Sequence, residues 1–387
     1  MRYILAISMI ILGSLQIQAS EVIDVGMYWD SRPKGSVISV ARGSYTLMGD
    51  GKKIRDMAKA DVIQLSISGS SVQVASMGVT LGAFGKLKLI RQSWGSSLNI
   101  KAVNPSYPRR EYNDNIFVTV SGGKLKMVNN VYIEHYIAGV VEAESGIKEG
   151  FEYYKVQAII ARTYALSNLN KFAHEGFNLC DNVECQVYKG KSKRNAEIIR
   201  AVNATKGLVI VDKDIELINA VFHSNSGGHT VNSEDAWSKP VHYLRAISDD
   251  FSKDQPHYAW EVNIDKVKWL NYLFRRFNYP ISDPLAREYV MDYCPSSREV
   301  FLTPVDTNIL LKTIRRDWGL KSTYFSIEEV GESIRVRGKG FGHGVGLSQE
   351  GAMKMANMGI PFNEILHYYY QDIHLIHLSA LDFFRAE

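Results

Sequence analysis

Glu144 ends an apolar stripe. In VYIEHYIAGVVEAES, Ile133, Ile137 and Val140 recur at helical spacing, and Glu144 takes the next position, four after Val140 and three after Val141. Glu134 and Glu142 fall elsewhere. A carboxyl at the end of an apolar face loses hydration. That disfavours its charged form and moves its pKa toward the range a general acid needs. The competing reading pairs Glu144 with an arginine or places it past the helix end in water.

Other residues whose types could do chemistry are scattered along the chain. His223, Ser224 and Ser226 cluster where an expected strand opens into a Gly-rich loop, a place functional residues favour. A serine nucleophile is poorly supported there: G-x-S-x-G is missing, and adjacent residues of a strand point to opposite faces. H-E-x-x-H is missing as well, which argues against a standard zinc peptidase. Arg162 follows Ile159 by three, so its guanidinium starts at the margin of a buried helical face and needs a partner. An acid is the first expectation, substrate contact the second. Cys180 and Cys185 are close in CDNVEC, and His174 lies six residues before Cys180. Outside the cytosol the pair suits a disulfide; with His174 it suits zinc. In RGKGFGHGVGLSQEGA, glycines at 338, 340, 342, 344 and 346 alternate with Lys339, Phe341, His343, Val345 and Leu347. The alternation reads as a strand with one bare face, onto which another backbone or a ligand packs closely. No phosphate-loop register fits.

The elements that must position these residues divide by pattern. From residue 21 to about 128 the chain reads as short β-branched strands separated by Gly, Ser, Asn and Asp, with a turn at 121–123. Helices follow over VYIEHYIAGVVEAES and EYYKVQAIIARTYALSNLNKF; Ala158, Ala161 and Ala165 form a small-residue edge on the second, suited to close packing. GLVIVDK and LINAVFHSNSGG read as strands, KVKWLNYLFRRF and NEILHYYY as helices, and Ser348 as the cap of a helix through QEGAMKMANMG. The expected fold class is α+β, strand-rich at the N-terminus and mixed afterwards. Residues 1–19, with Arg2, an apolar run from Ile4 to Leu12 and a small residue at Ala19, read as an export signal; an uncleaved membrane anchor is the alternative. The softest later break is 104–115, so a β-rich domain over 20–110 and a second domain over 111–387 are expected. A net charge of +4 without a basic run argues against nucleic acid.

In their order, four stretches resemble the SpoIID/LytB family of stage II sporulation protein D and the amidase enhancers: GVVEAESG...VQAIIARTYAL, CDNVECQVYKG, AVFHSNSGGHTVNSEDAW...VHYLRAIS and GKGFGHGVGLSQEGAMKMANMG...ILHYYY. The likeness runs from about Tyr112 to Tyr370 and makes 111–387 a SpoIID-like catalytic domain. It implies a peptidoglycan lytic transglycosylase acting on glycan strands without stem peptides, with the acid at Glu144 and His343 facing the cleft. Where the family commonly has Glu-Met-Pro, Ser145 and Gly146 follow here, so the loop after the acid is expected to differ. Gln186, Tyr188, Ser224, His343 and Gln349 become candidates for sugar contacts, beside Arg162, His223 and Ser226. A zinc held by His174, Cys180 and Cys185 would be structural. Two other classes stay open: a wall-binding protein or amidase enhancer without turnover, and a metal-dependent hydrolase using His174 and the two cysteines.

Overall fold

The computed structural model describes residues 22–237, 239–302 and 309–385. The expected export segment lies outside them. Among the described residues no helix is long and apolar enough to cross a membrane. Helix and strand are both abundant and occupy several sheets, so the protein is α+β.

The strand-rich part forms two sheets. One is built on Val22–Met27, Tyr45–Gly49, Lys52–Met57, Leu87–Arg91, Asn115–Ser121 and Lys124–Tyr132; the other on Gly35–Arg42, Val62–Ser68, Ser71–Ser76, Val79–Phe84, Ser97–Val103 and Arg110–Asn113. Their pairing is antiparallel, and alternate residues such as Ile38 and Val40, or Val72 and Val74, are buried while their neighbours are less so. That is the pattern of a sheet with one covered face. The expected turn is a two-residue hairpin: Ser121 pairs with Lys124, and Gly122 and Gly123 both have positive φ. Strands continue past residue 110. Arg110–Asn113 pairs with Ser97–Val103, and Lys124–Tyr132 runs directly into the first helix.

The first helix, Ile133–Ser145, packs on the second, Phe151–Ser167, which also touches Ala196–Ala204, Leu208–Asp212, Gln349–Asn357 and Phe362–Tyr369. Ala158, Ala161 and Ala165 are buried at these contacts, as their small size suggested. One hydrophobic core joins both sheets to these helices. A second core lies within residues 260–336, where Ala259–Asp265, Phe325–Val330 and Ser333–Lys339 form a three-stranded sheet covered by Lys266–Phe277, Pro284–Met291 and Leu311–Trp318.

The glycine ladder departs from its expected form. Only Ser333–Lys339 and Leu347–Ser348 are strand. Between them Gly340, Gly342, Gly344 and Gly346 have φ of 78°, 117°, 84° and 68°, a region closed to most side chains. The alternation therefore encodes a winding backbone. It also allows close approach: a Cβ on Gly340 would strike the backbone of Asn225 and Gly227. Leu347–Ser348 then pairs in parallel with Phe222–His223, the only strand that LINAVFHSNSGG forms. Ser348 caps the next helix, its Oγ accepting from Gly351 N at 3.4 Å.

Candidate active site

Glu144 sits in the last turn of the first helix, half-buried. Its Oε1 accepts the Val187 N–H at 2.7 Å; its other oxygen has no protein partner among the described residues. Burial pushes its pKa up, opposed by the Val187 hydrogen bond and the charge of Lys189. Glycine makes this possible one turn earlier. Gly139 faces the carbonyl of Gly190 and the ring of Tyr188, and a Cβ would collide with both. The bare helix surface lets the 186–190 segment lie flat and aim Val187 at the acid. Sequence reasoning missed Val187, because a backbone N–H carries no residue-type signal.

Three polar atoms gather beside Glu144. The side chains of Ser145 and Gln349 approach the hydroxyl of Tyr153, which also feels the Glu144 charge. Ser145 Oγ, Tyr153 OH and Gln349 Nε2 are buried, with the Ser145 and Gln349 side chains within hydrogen-bonding reach of the Tyr153 hydroxyl. Polar groups clustered beside an acid suit a hydroxyl-rich ligand, which can exchange hydrogen bonds with them. Gln186 adds another: Oε1 accepts from Tyr136 OH at 3.2 Å, while Nε2 is unpartnered. Tyr153 was legible in principle, three residues before Val156 on the apolar stripe.

Glu142 plays a different part. Its oxygens accept from Ser192 Oγ at 3.0 Å, from the Lys193 and Arg194 amides at 2.9 Å each, and from Arg194 Nε at 3.0 Å. Burial works against its charge, but these hydrogen bonds hold its pKa below the usual carboxylate value. It is a bound anion that clamps a loop.

His223 and His343 form a separate group. Their ring centroids are 5.5 Å apart, and Trp237 lies 5.0 Å from His343. His223 is buried, with Nδ1 against the Val345 carbonyl at 3.1 Å and Nε2 unpartnered. Burial lowers both pKa values, that of His343 to about 4, so both imidazoles are neutral at pH 7. His343 opens on a cavity of about 380 Å³ lined also by Trp237, Arg298, Arg315 and Thr323. Among the described residues no hydrogen bond or ring contact joins this pair to Glu144. The strand pairing of His223 with Ser348, next to Gln349, is the link. Ser224 is half-buried beside it; its carbonyl accepts from Glu350 N at 3.0 Å.

Several candidates are buried with their polar groups engaged by the protein itself. Arg162 is fully buried, and its Nε and Nη2 donate to Glu134 at 2.9 and 2.5 Å. With the Leu208 carbonyl at 3.0 Å its donors are engaged inside the core, away from any ligand. Tyr188 is fully buried between Tyr112 and Tyr136, its hydroxyl donating to Asn129 at 2.9 Å. Ser226 donates to Asp249 at 2.7 Å within the core. The zinc set is not assembled. Cys180 and Cys185 approach with sulfurs 2.6 Å apart, closer than the roughly 3.8 Å that two thiolates on a tetrahedral zinc would keep. His174 instead stacks against Phe172, and no group of three such ligands forms among the described residues. As placed, these residues do not fit zinc.

The family model of stage II sporulation protein SpoIID matches residues 121–211, which contain Glu144, Val187 and both cysteines. The chain is 29% identical over 265 residues to stage II sporulation protein D of Bacillus amyloliquefaciens, covering 64% of this chain and 74% of that one. It is 30% identical over 276 residues to an uncharacterised protein of Brachyspira hyodysenteriae, covering 70% and 71%. It is 28% identical over 345 residues to the amidase enhancer of Bacillus subtilis, covering 74% of this chain and 48% of the relative. The motifs, the order in which they occur and these matches agree, and the chain belongs to the SpoIID/LytB family.

Proposed function

We propose that this protein is an exported lytic transglycosylase that cleaves the MurNAc-GlcNAc bond of peptidoglycan strands lacking stem peptides. The observation that carries the reading is the Glu144 carboxyl: half-buried, raised in pKa by that burial, held through one oxygen by Val187 and free at the other. A carboxyl whose pKa is raised by burial holds its proton to higher pH than an ordinary one, as protonating a glycosidic oxygen requires. Glu144 gives its proton to that oxygen as the C1–O bond breaks. The muramic acid 6-hydroxyl then attacks the oxocarbenium-like C1, and its proton passes back to Glu144. The product is a 1,6-anhydro sugar, and no water is consumed. An ordinary glycosidase needs a second carboxylate as base or nucleophile. No other acid is among the charges that shift Glu144, and Glu142 is engaged elsewhere; Glu149, whose charge also reaches Tyr153, is the remaining carboxylate beside this cluster, and the single-acid scheme requires Glu149→Gln to keep cleaving.

The amidase-enhancer relative motivates a second reading, a wall-binding partner of an amidase without turnover of its own. Purified protein incubated with peptide-free glycan separates the two. The first reading requires new reducing-end-blocked fragments that vanish with Glu144→Gln; intact glycan with wild-type protein would leave the second.

A further inference from the structure

The strand-rich N-terminal part reaches the segment that contacts Glu144. A hollow of about 240 Å³ is walled by Tyr28, Trp29 and Tyr107 on one side and by Asp181, Val187 and Lys189 on the other. Two of these residues act directly on Glu144: Val187 donates its N–H to the carboxylate, and Lys189 is close enough for its charge to bear on it. The hollow is below the roughly 300–1,000 Å³ of drug-sized sites, a size for one sugar ring.

Its polar wall is unevenly satisfied. Asp181 accepts from Tyr28 N at 2.8 Å, Trp29 N at 3.0 Å and Arg110 Nη1 at 3.2 Å, which uses both that acid and Arg110. Asp30 accepts from Asn182 Nδ2. Lys189 is exposed and forms no ion pair among the described residues, so it is the one cation of the wall without an ion-pair partner, while the Asp30 carboxylate in the same lining is held by the neutral Asn182 amide. The Tyr28 hydroxyl is buried and faces Tyr112 and Arg110. Tyr28 and Tyr107 stand 5.4 Å apart, giving the hollow an aromatic side. Aromatic rings and an exposed cation without an ion-pair partner suit an acidic sugar.

The geometry points to a glycan subsite in this hollow, in which the N-terminal aromatic residues contact the pyranose ring and Lys189 receives the free lactyl carboxylate of a muramic acid without its peptide. This rests on reading Glu144 as the glycan-cleaving acid. It gives the β-rich part a role in the site and supplies a physical basis for preferring peptide-free strands: a stem peptide converts that carboxylate to an amide and removes the charge Lys189 would meet.

The test is calorimetric binding to Glu144→Gln protein, which does not turn over, of a peptide-free glycan tetrasaccharide and of its carboxyl methyl ester. The acid should bind about tenfold more tightly than the ester, the size of one charge-assisted contact at a partly open site. Lys189→Gln in the same background should bring the ratio to about one, and Lys189→Arg should restore it; Lys189 is exposed, so these variants keep the fold. Tyr107→Ala should weaken both ligands and leave their ratio alone. An acid-to-ester ratio unchanged by Lys189→Gln, with wild-type protein still cleaving the glycan, overturns the subsite and leaves the proposed activity standing. Failure of wild-type cleavage together with failure of either ligand to bind overturns the activity itself.

Discussion

Glu144→Gln keeps the shape of the side chain and removes its titrating proton, so glycan cleavage should fall by roughly 10²–10⁴-fold, the usual worth of general acid catalysis. Its effect on stability has the opposite sign. Burial raises the folded-state pKa of Glu144, so the folded protein loses stability as pH climbs above the unfolded value and on through the folded one. The glutamine variant escapes that loss and should melt at a higher temperature than wild type at pH 7, which differential scanning calorimetry reads. Cleavage by wild type should decline on the alkaline side as Glu144 deprotonates; burial moves that decline to higher pH, and the Val187 hydrogen bond and the Lys189 charge pull it back. Glu142 behaves in reverse. Its folded pKa is lowered, so its contribution is present above the unfolded value and lost as pH falls through the folded one. Glu142→Gln should cost about 1–3 kcal/mol at pH 7, seen in denaturant melts, with little change in cleavage rate per folded molecule. The helical stripe made Glu144 legible in the sequence. It could not show that Tyr188 and Ser226, polar and within motifs, would be sealed in the core, because burial depends on which distant segments cover them.

At the scale of elements, the close approach of the first helix to the 186–190 segment sets the acid's environment. Gly139→Ala places a methyl against the Gly190 carbonyl and the Tyr188 ring. The segment must shift, so stability should fall by about 1–3 kcal/mol and cleavage should drop as Val187 leaves Glu144. A Gly139→Ala variant as active and stable as wild type would contradict a tight contact there. Arg162→Met leaves Glu134 buried and unpaired and should cost about 3–5 kcal/mol. The His174–Cys185 segment holds no assembled metal set, so dialysis against a chelator should leave the melting temperature unchanged; a fall on chelation would place a metal there. The first two helices, the 121–123 hairpin and the Ser348 cap were legible because each rests on local periodicity or turn chemistry. The glycine ladder misled because period-two alternation is shared by strands and by a chain that winds through left-handed glycines; contacts with Asn225 and Gly227, more than a hundred residues away, decide between them.

Across the whole molecule, the α+β class follows from the succession of strand-like and helix-like patterns, but the arrangement of cores does not. Nothing in residues 260–336 announces a separate core, because its strands and helices have the same local patterns as the rest. Nor does the sequence reveal that Tyr28, Trp29 and Tyr107 meet Val187 and Lys189 at one hollow, since that meeting is made by Val22–Met27 pairing with Leu179–Cys180. In the structure the N-terminal strands meet the 186–190 segment at this hollow, and the same segment meets the acid's helix through Val187 and Glu144. The central claim, that Glu144 alone drives intramolecular cleavage of glycan, is tested most directly by mass spectrometry of the products from peptide-free strands. The expected fragments end in 1,6-anhydro-muramic acid, each lighter by one water than a hydrolysis product. Fragments ending in reducing muramic acid would contradict the claim and require a second carboxylate or an activated water.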